Sequence, residues 1–81
     1  MSKKRANEQR FGDWEELADG GRRYFRKVEG RYGWSALYVK VTDSEEETVA
    51  FWQEIYDDKG NLKEIHHKFP EDTGHQIVEK T

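Results

Sequence analysis

All three histidines of this 81-residue chain fall within ten residues: His66, His67 and His75, with Glu71 and Asp72 between them. An imidazole near a carboxylate is the usual equipment for moving protons near neutral pH. On a strand, His66 and His67 point to opposite faces, so at most one of them can join His75. His66, His67, Asp72 and His75 are therefore the candidate catalytic set, suited to acid–base work on RNA. Two histidines with Asp72 or Glu71 would also be a reasonable donor set for zinc. The spacing matches no metal motif, however, and no metal or other cofactor is expected. The alternative is that these are structural or surface histidines.

A second constellation is the basic-aromatic run Arg22-Arg23-Tyr24-Phe25-Arg26-Lys27, continued by Arg31, Tyr32 and Trp34. Between residues 22 and 31 stand five positive charges and one glutamate. Sheets that bind single-stranded nucleic acid use this mixture, with cations for phosphates and rings for stacked bases. Arg22, Arg23, Tyr24, Arg26, Lys27, Arg31, Tyr32 and Trp34 are the candidate nucleic-acid contacts. The competing reading makes the rings core and pairs the cations with Glu15, Glu16 and Glu54. Asp72-Thr73-Gly74 spells the triplet of aspartic proteases, but Phe69-Pro70-Glu71 and His75-Gln76 flank it, so it reads as a turn. No glycine-rich phosphate loop is present, and Ser2, Ser35 and Ser44 lack a nucleophile's surroundings.

Composition narrows what can position these groups. Hydrophobic residues are 33% and charged residues 38%, a balance that leans toward disorder, but 14% aromatic content argues for a folded domain with a small core. There is no cysteine, which excludes disulfides and thiolate metal sites. No apolar run approaches the roughly 20 residues of a membrane span. Met1-Ser2-Lys3-Lys4-Arg5 has charge without an apolar segment behind it, unlike a secretory signal, so a cytoplasmic location is expected. The net charge of −3 divides into +4 over residues 1–40 and −7 over residues 41–81. Such asymmetry can steer a partner or pair the two halves of a sheet.

The strongest structural signal is a hairpin from Trp34 to Tyr56. Leu37, Val39 and Val41 alternate on one face of its first arm. Val49, Phe51 and Ile55 do so on the second, with Ala50, Trp52 and Tyr56 opposite. Apolar side chains on both faces place this hairpin centrally. Upstream, Asp13 and Glu16 have capping-box spacing, yet the segment is too short for a stable helix. Trp14–Leu17 before Asp19-Gly20 reads better as a strand and turn. Arg22–Glu29 is the next strand. Asp57-Asp58-Lys59-Gly60-Asn61 is the clearest turn, with Gly60 as its left-handed residue, and Leu62–Phe69 is the last strand, ended by Pro70. Residues 71–81 are a short helix, a strand or a docked tail.

The expected fold is mainly β: an antiparallel meander of about five strands, curled or closed into an open barrel. Residues 1–10 are expected to be a flexible basic tail and residues 11–81 one domain; a short terminal helix would make the class α+β. Too little apolar sequence remains to cover the sheet, so a homo-oligomer, a dimer first, is expected.

Two stretches resemble a family of short uncharacterised prokaryotic proteins, a domain of unknown function. They are Asp13–Leu17 with Gly20–Tyr24, and Glu64–His75. That resemblance implies no activity. The layout of Tyr56–Asn61 followed by His66-His67 is also similar to small ribonuclease toxins of toxin–antitoxin pairs. This likeness implies metal-independent RNA cleavage with His66 or His67 and His75 as acid and base, and Arg23 or Arg26 holding phosphate. The leading expectation is a binding or assembly module with nucleic acid as its candidate partner. The rivals are that ribonuclease and an adaptor that pairs with proteins through its strand edges.

Overall fold

The computed structural model describes residues 2–78. Six antiparallel strands lie side by side in chain order: β1 (Asp13–Glu16), β2 (Arg22–Glu29), β3 (Ser35–Thr42), β4 (Thr48–Tyr56), β5 (Leu62–Phe69) and β6 (Gly74–Ile77). The meander is as expected, with one strand more, because residues 74–77 pair with β5. The sheet is open, with β1 and β6 as its edges. Both edge strands have four residues, which leaves little free backbone for a stray strand to pair with. No helix among the described residues is long and apolar enough to cross a membrane.

The expected basic tail is instead largely helical: α1 spans Lys3–Phe11. Ser2 caps it, its hydroxyl accepting from the Arg5 amide at 3.1 Å. Gly12 ends it at φ 87°, where its amide returns to the Glu8 carbonyl. Lys, Arg, Ala, Glu and Gln are good helix formers, but nine residues are marginal alone. The helix persists because Asn7 and Phe11, four apart and both buried, dock on the sheet. Only one of these two is apolar, which is why hydrophobic periodicity gave no sign of the helix.

Register divides the sheet into a helix-covered face and an open face. Trp14, Tyr24, Lys40 and Phe51 follow one another across β1 to β4 beneath α1. Phe11 packs on Tyr24 at 5.8 Å and on Phe51 at 6.1 Å between ring centroids. A register shift at Val41/Thr42 takes Val49 out of the alternation expected for it, and Val49 is exposed. On the open face, Phe25, Val39 and Trp52 form one cross-strand row. Among the described residues only three apolar side chains are buried: Phe11 of the helix and Tyr24 beneath it, and Val39 among its strand neighbours on the open face.

Three hairpin turns share one hydrogen-bond pattern, at 17–21, 43–47 and 57–61. In each, the first residue's amide reaches the fifth carbonyl, and the fourth amide returns to the first carbonyl. The fourth residue has positive φ: Gly20 at 88°, Glu46 at 67° and Gly60 at 81°. Glycine adopts that conformation without steric cost, whereas a side chain is strained by about 1 kcal/mol or more. Glu46 is held there by its carboxylate. Tyr24 OH donates to it, Asn7 Nδ2 donates at 2.9 Å, and Thr42 Oγ1 lies at 3.4 Å. The strained turn therefore ties α1 to β2 and β3.

Burial pushes the Glu46 carboxyl up, but the hydrogen bonds from Asn7 and Tyr24 and the charge of Arg22 outweigh it and leave it below its ordinary value. Burial, reinforced by Glu46, raises the Tyr24 phenol to about 12.

Glu46→Gly is expected to relieve the turn yet orphan the buried Tyr24 hydroxyl, for a net loss of about 1–2 kcal/mol in urea unfolding. In the Tyr24→Phe background the same substitution is expected to cost markedly less. A depressed carboxylate stabilises above its unfolded pKa and stops doing so as pH falls through the folded one. The stability gap between wild type and Glu46→Gln is thus expected to be full at pH 7 and to close below the ordinary value of 4.5.

Candidate functional site

The period of two splits the basic-aromatic run. Arg22 and Tyr24 lie under the helix and serve the fold. The Arg22 guanidinium meets Glu8 at 2.5 Å and Glu16 at 2.8 Å, and stands 5.0 Å over the Trp14 ring. The Glu8 carboxylate chiefly accounts for the rise in its pKa. Tyr24 is wholly buried. Arg23 and Lys27 are on the open face, with Arg23 paired to Glu15 and Lys27 3.3 Å from Glu29. Arg31 and Tyr32 stand out in a single turn of 3-10 helix, Arg31–Gly33, at the end of the sheet, and Tyr32 is 87% exposed. Trp34 closes that turn and precedes β3. Of the eight expected contacts, Arg26 alone reaches the groove described next.

That groove lies on the helix-covered face, just beyond the end of α1. Arg10, Phe11, Arg26, Val28, Tyr38 and Phe51 line it, and it encloses about 250 Å³. Two guanidinium groups and three rings meet there without a carboxylate. Tyr38 and Phe51 are 6.5 Å apart, tilted by 40°. Lys68 adds a third cation, with Nζ 5.5 Å from the Tyr38 ring and 5.8 Å from that of Phe51. Lys40, beneath the helix, donates to Asn7 Oδ1 at 2.9 Å. Burial and then the charge of Arg10 push its pKa down, with Glu46 partly opposing. Arg10, Phe11, Tyr38, Phe51 and Lys68 are not among the candidate site residues read from the sequence, where Phe51 enters only as a strand residue. Arg10 sat in the supposed tail, and the others are spread over α1, β3, β4 and β5.

The row Arg26, Tyr38, Gln53, His66, His75 continues across the same face from β2 to β6. His66 and His75 therefore meet, with ring centroids 4.5 Å apart. His66 Nε2 is 2.6 Å from Asp72 Oδ1, and His75 Nδ1 is 3.7 Å from Glu64 Oε1. His67 lies on the other face, 6.4 Å from the Trp52 ring. As the strand alternation required, one of the two adjacent histidines joins His75. In-line transfer at phosphorus needs its acid and base on opposite sides of the transferring group. Here the two imidazoles face each other at 4.5 Å rather than flanking a space of phosphate size. Among the described residues no group of three or more His, Asp or Glu is arranged to hold a metal ion.

Asp72 has a structural task that explains its position. Its Oδ1 accepts the Gly74 amide at 2.9 Å as well as facing His66. The Gly74 amide, followed by His66, lowers its carboxyl pKa. Thr73 bonds back to His67 through its amide at 2.9 Å. Asp72-Thr73-Gly74 is thus the turn it was read as, and it lays β6 against β5. Asp72→Ala is expected to speed amide exchange across residues 74–77 by about tenfold while the global unfolding midpoint moves little. Hydrogen exchange followed by NMR measures both.

No family model, no curated protein and no solved structure matches this chain, so the likenesses read from its motifs stand on those residues alone.

Proposed function

We propose that this protein is a small binding module for single-stranded nucleic acid, and that the bound strand lies in the groove just beyond the end of α1. The observation that carries this reading is the meeting of Arg10 and Arg26 with Phe11, Tyr38 and Phe51 in a groove lined by no carboxylate, with Lys68 over two of those rings. Rings accept bases of any identity by stacking, at about 1–3 kcal/mol per base, and cations follow the phosphates. The combination recognises a flexible, anionic, aromatic-bearing polymer without reading its sequence. A duplex, whose bases are already stacked, would offer the rings nothing. The chain's overall negative charge does not oppose this, since screening confines the field that matters to about 8–10 Å around the groove.

Fluorescence anisotropy with a labelled oligonucleotide of mixed sequence tests the reading. At low salt, binding is expected, and single strands are preferred over duplex. Arg10→Ala, Arg26→Ala and Lys68→Ala are each expected to weaken binding several-fold and to reduce the salt slope by about 0.7. Tyr38→Leu is expected to weaken binding about tenfold with the slope unchanged, because it removes a ring and no charge. No binding at low salt, or binding indifferent to Arg10 and Arg26, overturns the proposal.

A further inference from the structure

We infer that the open face of the sheet is a self-complementary dimer interface, in which two copies pack face to face about a two-fold axis along β3. No element of the described chain covers that face, since α1 lies on the other side. Across β2 to β5 it carries Phe25, Leu37, Val41, Trp52 and Ile65, each half-buried, around the buried Val39. The exposed area also points to a missing partner. The chain exposes 5852 Å² at a mass of 9.7 kDa. A compact monomer of that mass exposes roughly 5100 Å². The excess of roughly 700 Å², a figure for the whole chain, is of the order of the roughly 800 Å² that one partner gives up in a stable interface.

Register then selects the occupant. An axis along β3 exchanges β2 and β4, so that β2 of one copy lies over β4 of the other. Residues of one cross-strand row keep their height along the axis. Phe25, Val39 and Trp52 share a row, as do Lys27, Leu37 and Glu54. The two-fold therefore sets the Phe25 ring of each copy over the Trp52 indole of the other, and each Lys27 over the other's Glu54. Aligned sheets cross at about 30°, which displaces the rows by only about 3 Å at one strand spacing from the axis. The same patch meets itself, as a closed two-fold requires, and each contact occurs twice.

Glu54 gives the pairing its physical motive. Trp52 Nε1 donates to it at 2.7 Å, and Tyr56 OH donates to its other oxygen. These neutral donors satisfy the oxygens but leave the charge uncompensated. That hydrogen bond and burial raise the Tyr56 phenol to about 12. A lysine arriving from a second copy supplies the missing countercharge. Lys27 stands ready for it, held among the described residues by an exposed contact with Glu29 alone.

Sedimentation equilibrium tests the interface. Wild type is expected to be a dimer. Lys27→Glu and Glu54→Lys, each alone, set like charges in opposition and are expected to weaken it about tenfold or more. An equimolar mixture of these two variants restores both ion pairs and is expected to dimerise again, as a heterodimer. Should Glu54→Lys fail to fold, Glu54→Gln keeps an acceptor for Trp52. In that background Lys27→Met is expected to have no further effect on dimer affinity. A monomeric wild type, a dimer untouched by Lys27→Glu, or folded variants that do not rescue one another would overturn the inference.

Discussion

A carboxylate in a strained turn holds this molecule together. Glu46 sits where the two sister turns have glycine, and the strain is offset by what its side chain gathers. It accepts from a tyrosine in β2 and an asparagine in α1, and it lies beside a threonine in β3. A buried acceptor of this kind is worth most when every partner is present, since each partner left alone would be an unpaired polar group in the core. The helix has only one apolar anchor, Phe11. The polar junction fixes its position over the sheet, and that position in turn creates the groove.

The groove's electrostatics follow from which cations the fold consumes. Arg22 and Arg23 are neighbours in sequence, yet one is taken up by Glu8 and Glu16 under the helix and the other by Glu15 on the far face. Glu8 of α1 and Glu15 and Glu16 of β1 are taken up by them. Arg10 and Arg26 line a groove with three rings and no carboxylate, and Lys68 stands over two of those rings. A chain of net negative charge thus has a local cationic surface, because charge pairing depends on face and register more than on composition. The opposite face has the converse imbalance, with a carboxylate among rings and aliphatics and its nearest row-mate lysine two strands away. The two faces therefore call for different partners, an anion on one and a second copy on the other.

Much of the architecture was legible from local signals. The hairpin around Trp34–Tyr56, the turns at Asp19-Gly20 and Asp57–Asn61, and the strands at residues 13–16, 22–29 and 62–69 follow alternation and turn chemistry, which are short-range properties. The separation of His66 from His67 was legible for the same reason. The helix was not, because its docking face is Asn7 and Phe11, and a polar anchor gives no hydrophobic period. Ser2 three residues before Arg5 and Gly12 after Phe11 were the cap signals available.

The sequence by itself determined that alternating rings and β-branched residues build an antiparallel meander, that Asp72-Thr73-Gly74 turns, and that basic and aromatic residues are both plentiful. Only the tertiary structure decided which of them meet. Lys68 reaches Tyr38 and Phe51, and Arg10 and Arg26 come to line one groove, through strand order, two register shifts in β4–β5 and the seating of a short helix. Those contacts are long-range. A one-residue slip in register moves every side chain of a strand to the other face, so no local pattern specifies them until the whole sheet is assembled.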